Sequence, residues 1–262
     1  MAHAYGPQCH HHRGRYRLVN AVLARGDCVI DTARSLNKTR SLPAYHAYCS
    51  WISLRRRIDV LVNNAGYGAK ALVEEAGSAE IRRQYEVFLA ELHASVCNVR
   101  HIVMIGSRTS WRPELTTAAA LRSAPVRAPP APTQPADRAR RPPFGIRMLI
   151  VESAAFRTDA LIGNAVYTGN ASPDYDVMRV MAVQRYKDTH KALRGDPAKA
   201  MAAVVDVVRG EGPAAGKPWP LYLVLGDLGV SGVAEKCERV LHLLDEWKEV
   251  STGLDIDPEE AR

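Results

Sequence analysis

Four short apolar runs constrain the fold more than any other feature of this chain. They are Ile58 to Val62 (IDVLV), His101 to Ile105 (HIVMI), Ile146 to Val151 (IRMLIV) and Leu221 to Leu225 (LYLVL). Each is continuous rather than alternating, and the first is bounded by Asn63-Asn64-Ala65-Gly66. A strand that is apolar at successive positions is buried on both faces, which happens in a parallel sheet covered by helices. Helix-spaced segments lie between and after these runs. Residues 18–24 end at the stop signal Arg25-Gly26, and a short β-rich run begins at Cys28-Val29-Ile30. Residues 78–92 read as a second helix. Asp196-Pro197 opens a third, with Met201, Val204, Val205 and Val208 on one side. Val233, Cys237, Val240, Leu241, Leu244 and Trp247 mark one face of a last helix, read as core. The expected architecture is α/β, a doubly wound parallel sheet, and 262 residues suffice for a single domain of that kind.

Two segments do not fit that pattern. Residues 112–143 hold eight of the chain's 16 prolines, six arginines and eight alanines, with almost no large apolar side chain. Such a stretch cannot bury a face, so a disordered loop inside the domain is expected. Residues 1–17 (MAHAYGPQCHHHRGRYR) show no strand and no apolar leader, so a disordered N-terminus is expected and a secretory signal is not. No run approaches the length of a membrane span. The five cysteines, at 9, 28, 49, 97 and 237, are scattered without a C-x-x-C pair, which points to reduced thiols in the cytosol. Cys9-His10-His11-His12 lacks a second ligand cluster, so no metal site is expected.

The net charge is +7, and only eight of the 35 cations are lysines. The arginines concentrate in the atypical segments. They could touch nucleic acid non-specifically, but no aromatic residue follows Trp111 until Phe144, so stacking has no platform there.

The order of the fragments carries a resemblance. IDVLVNNAGYG (58–68) resembles the fourth strand and NNAG motif of the short-chain dehydrogenase/reductase family. LVNAVLARGDCVIDTARSL resembles that family's first helix and second strand. HIVMIGSRTSW resembles its fifth strand, and PFGIRMLIVESAAFRTDAL its sixth strand and following loop. The segment from Gly195 through Leu225 to Ser251 resembles its last helices and strand. The resemblance implies a Rossmann-like domain that binds NAD or NADP and moves a hydride between the nicotinamide and a carbonyl or alcohol.

By this resemblance Ser107 holds the place of the catalytic serine. Asn63, Ala65, Gly66 and Thr158 fall on the cofactor side. Arg34, just past the second strand, favours NADP over NAD, because an arginine there suits a 2′-phosphate. Other parts of the family pattern are missing. No tyrosine has a lysine four residues on, and residues 71–186 contain no lysine. By spacing, Ala120 stands where the tyrosine would. The glycine-rich T-G-x-x-x-G-x-G loop is absent, and Gly6 and Gly14 do not fit its spacing. Residues 38–58 are too few for the family's third strand and helix.

Family-like sequence thus alternates with Arg/Ala/Pro-rich and His-rich sequence, as a wrong reading frame or misplaced splice junction in a G+C-rich gene would produce. The expectation is an incomplete fold and an impaired NADP-linked oxidoreductase acting on a small carbonyl or alcohol. Two other readings stay open: a non-catalytic relative that dimerises or regulates, as a homodimer, and a basic nucleic-acid-binding chain.

Overall fold

The structure, a computed structural model, describes residues 2–5, 13–32, 59–64, 75, 77, 78, 82, 100–108, 146–158 and 171–256. Six strands form one sheet: β1 (Ala2–Tyr5), β2 (Val29–Thr32), β3 (Val60–Asn63), β4 (His101–Ser107), β5 (Arg147–Ser153) and β6 (Tyr222–Leu225). Their order is β2-β1-β3-β4-β5-β6, and every pairing is parallel. The four apolar runs supply β3 to β6, and the run beginning at Cys28 supplies β2. In β3 and the middle of β5, successive residues are buried, as two-sided coverage requires.

The N-terminal expectation is corrected. Ala2–Tyr5 is a strand, and it lies between β2 and β3 with Tyr5 in register with both Thr32 and Asn63. Four residues of mixed polarity carry no strand signal of their own; the ladder on either side specifies them, because two parallel neighbours satisfy both edges of the backbone. No gap is left beside β3. Helix α1 spans Arg13–Leu23 and starts five residues before the apolar spacing first shows it. The segments 33–58 and 112–143 lie outside the described residues.

Four more helices follow β5: α2 (Asp176–Ala192), α3 (Pro197–Arg209), α4 (Asp227–Glu246) and the short α5 (Lys248–Ser251). Of the helix expected over 78–92, Ser78 and Arg82 are described and both are helical, as are Glu75 and Gly77 before them. Helix α3 forms where the sequence marks it. The Asp196 carboxylate accepts from the Ala198 N–H at 2.7 Å, Pro197 sits in the first turn, and Gly210 closes the helix at φ 67°. Leu18, Val19 and Val22 of α1 and Ala200, Met201, Val204 and Val205 of α3 join Val60, Val62, Val103, Leu149, Val151 and Leu225 of the sheet in one core.

Polar contacts tie the ends of α1 and α3 together. Arg25 hydrogen-bonds Asp206 and, at 2.7 Å, Glu211, while Arg209 reaches Asp27 at 2.6 Å and Glu211 at 2.8 Å. The hydrogen bond to Asp206 is the main reason that the Arg25 guanidinium titrates above its ordinary value. Helix α2 is held through Arg179, which pairs with Asp176 and with Glu75, a carboxylate only 1% exposed.

One expectation about packing fails. The apolar stripe of the last helix is not core. Leu241 is 66% exposed, and Val240, Leu244, Trp247 and Cys237 are exposed too. Only the first turn of α4 meets the sheet, where Gly229 packs on Ala154 and Val224. Beyond it the helix passes the sheet edge at β6, and no described element covers it.

Candidate functional site

The strand order fixes where a ligand crevice can lie. The chain passes from β1 outward to β2 and then crosses back to β3, so the direction of winding reverses between β1 and β3. In open parallel sheets the crevice outside the carboxyl ends of the strands at such a reversal is the ligand site. Asn63 is the last residue of β3 and pairs with Tyr5 at the end of β1, so it stands on the rim of that crevice. It is 3% exposed, and neither its amide oxygen nor its amide nitrogen has a hydrogen-bond partner among the described residues. A buried amide left unpaired is costly, so this pair of atoms is a place where a bound group would be favourable.

Ser107 ends β4, three residues past the level of Asn63, since Asn63 is in register with Met104. That offset is roughly 10 Å along the strand direction. Ser107 is half-buried and in register with Ser153, whose hydroxyl donates to the Gly106 carbonyl at 3.2 Å. Thr158 lies five residues past the end of β5 and is also half-buried. The strand register brings Asn63 and Ser107 to the carboxyl ends of the neighbouring strands β3 and β4. Arg34, Ala65 and Gly66 lie outside the described residues, Arg34 two positions past the end of β2 and Ala65 two past the end of β3.

Sequence reasoning missed Glu152. It sits within a strand run and reads as a routine outward residue, yet it is 6% exposed. Its carboxylate lies where a side chain on Gly106 would be: a β-carbon there would stand 3.4 Å from Oε2 and 3.3 Å from the Val151 carbonyl oxygen. Gly106 thus makes room for a buried acid one residue before Ser107. The signal was available in the pair Gly106 and Glu152, but only once their register is known.

The chemistry of the edge is incomplete for proton transfer. The Tyr-x-x-x-Lys pattern is absent from the whole sequence. Residues 6–12 join β1 to α1 past the carboxyl end of β1, the place of a phosphate-binding loop. Gly6 follows β1 directly, but at the spacing of the family's second and third glycines stand His10 and His12. The Asn63 side of the crevice fits a nicotinamide dinucleotide; the loop's residues do not match the glycines that allow close approach to a pyrophosphate. Among the described residues there is no cluster of three His, Cys, Asp or Glu able to hold a metal, and no helix long and apolar enough to cross a membrane.

No protein-family model matches the chain, and no curated protein matches it in sequence. Solved structures do. A short-chain dehydrogenase from Streptomyces avermitilis is similar at 26% identity and a TM-score of 0.68, with 97% of this chain and 99% of that one covered. A short-chain dehydrogenase from Burkholderia cenocepacia, solved with NADP, shares the fold at 15% identity and TM-score 0.55, over 94% of this chain and 96% of that one. A short-chain dehydrogenase/reductase from Burkholderia phymatum, solved with NAD, does so at 12% identity and TM-score 0.57, over 98% and 97%. With a six-stranded parallel sheet and likeness along its whole length to the Streptomyces avermitilis protein, the chain has the fold of the short-chain dehydrogenases/reductases.

Proposed function

We propose that this protein is an impaired oxidoreductase that binds NADPH in preference to NADH and acts on a small carbonyl or alcohol. The observation that carries the reading is Asn63: a buried amide with both polar atoms unpaired, on the rim of the crevice where the winding reverses. Structures with NADP or NAD among the similar folds support a nicotinamide cofactor. Arg34, next to the end of β2, supports the phosphorylated form.

Bound NADPH would supply the hydride, and the protein would have to supply the proton. Here the Asn63 amide can both donate to and accept from a ligand. The Ser107 hydroxyl can hydrogen-bond a reacting oxygen. The Tyr-x-x-x-Lys pair that would transfer the proton is absent from the sequence, and a lost general acid typically lowers the rate by about 10²–10⁴. Cytosolic residence belongs to the same reading, supported by the free thiols of Cys28 and Cys237.

The test is a titration of NADPH followed by its fluorescence, with a turnover assay on a panel of aldehydes and ketones. Saturable micromolar binding that weakens in Asn63→Ala is expected, with turnover far below the roughly 10 s⁻¹ typical of enzymes. Absence of binding at millimolar NADPH would defeat the oxidoreductase reading. Turnover in the ordinary range would defeat the impairment.

A second reading, a relative that acts as a homodimer, is favoured by the uncovered stripe of α4 beside the edge strand β6. Sedimentation velocity separates the two: a dimer broken by Leu241→Glu with Leu244→Glu supports it, and a monomer at tens of micromolar removes it.

A further inference from the structure

The opposite edge of the sheet holds a groove that the proposed oxidoreductase site does not use. It measures about 560 Å³ and lies between the end of α3, the turn that follows it, and the amino ends of β5 and β6. Its wall is apolar, with Ala203, Val207 and Leu223 contributing. Its frame is stiff: Gly210 closes α3, and Pro213, Pro218 and Pro220 fix the connecting loop.

Trp219 forms one side. Its indole N–H donates to the Met148 carbonyl at 2.8 Å, so the ring is anchored to β5. His101 stacks on it at 4.9 Å, and the Arg147 guanidinium lies 4.6 Å from the ring centre. The Arg147 guanidinium also lies 3.2 Å from Nε2 of His101.

The charges of the groove are uneven. Its one acid, Asp206, is already engaged by Arg25, and Arg209 is engaged by Asp27 and Glu211. Arg147 and Lys217 have no carboxylate partner among the described residues, although both line the groove. Two uncompensated cations over an apolar, preformed wall match an anion that has an apolar body. An inorganic anion would leave the wall wetted, and a neutral alkyl chain would leave the cations unmet.

We propose that this groove is a binding site for a small amphiphilic monocarboxylate, its alkyl or aryl body against Val207 and Leu223 and its carboxylate between Arg147 and Lys217. The fork of Arg147 suits a carboxylate in bidentate fashion. Because the groove opens at the amino ends of the strands, its occupant does not compete with a ligand at Asn63.

The test is calorimetric titration of the full chain with decanoate below its micelle concentration, and with 2-naphthoate as the aryl arm. Saturable binding of either is expected, weakened about tenfold in Lys217→Met and in Arg147→Met and unchanged in Ser107→Ala. Lys217 sits on an exposed loop, so its variant keeps the fold, which a thermal melt verifies. If Arg147→Met unfolds, Lys217→Met alone decides. Equal binding of 1-decanol, full displacement by inorganic phosphate, no binding of either carboxylate, or unchanged affinity in Lys217→Met would each overturn the assignment.

Discussion

Helices α3 and α4 look alike in sequence and end up in opposite circumstances. Both carry apolar residues at helical spacing on one side and polar residues on the other. In α3 that side is closed: Met201, Val204 and Val205 pack into the core between α1 and the sheet. In α4 it is open from Cys237 to Trp247, the residue that caps the helix. The periodicity says that a face wants cover; it does not say what covers it. For α3 the cover is supplied by α1, which packs on β1 and β2. For α4, which stands at the β6 edge, the described part of the chain has nothing left to supply.

The sharpest way to break this comparison is truncation on each helix. Met201→Ala should cost about 2–5 kcal/mol of stability, the usual penalty for a large cavity. Leu244→Ala, measured below any dimerisation concentration, should stay within about 0.5 kcal/mol. Urea denaturation of the two variants checks both, and equal losses would show that α4 is covered after all.

A smaller effect is expected where the helices begin. Helix α4 starts at Gly226, at φ 87°, where a β-carbon would stand 3.1 Å from the Ala154 methyl and 3.4 Å from the Phe156 ring. Gly226→Ala should therefore cost about 1–3 kcal/mol through backbone strain alone, read as a lowered urea midpoint. Helix α3 starts at Asp196, and removing its capping carboxylate in Asp196→Ala should cost about 1 kcal/mol. A thermal melt resolves that loss if the helix end matters as the geometry says.

The smallest change concerns pH at the foot of the sheet. Burial, and then the charges of Arg147 and Arg100, push the His101 imidazole down to about 4, against a weaker opposite pull from Asp59. The folded chain thus holds fewer protons there than the unfolded one between pH 4 and the ordinary value of 6.5. The contribution to stability is complete above about pH 6.5 and is lost as the pH falls toward 4. Melting temperatures taken from pH 7.5 to 4.5 should fall less steeply in His101→Gln than in the parent. Parallel slopes would remove His101 from the account.

How much of the site could be read from the sequence differs from residue to residue. The strand-end places of Asn63 and Ser107 were legible because each terminates a strand whose apolar run announces it, and strand ends are where a parallel sheet presents chemistry. Glu152 was not legible. Its burial depends on Gly106, a residue 46 positions earlier, and on the register that sets β4 against β5. The groove beside Trp219 was hidden for the same reason, because Arg147, Trp219 and His101 come from three separate stretches of chain.

The sequence alone determined five of the six described strands, the class of sheet and the start of α3, since local apolar runs and capping residues act over a few positions. It also determined that the Tyr-x-x-x-Lys spacing is absent. Only the tertiary structure decided that Ala2–Tyr5 is a strand between β2 and β3, because its strand character comes from two neighbours rather than from its own side chains. Only the tertiary structure, too, decided that the stripe on α4 faces outward: burial belongs to pairs of surfaces, and a single chain segment specifies one surface at a time.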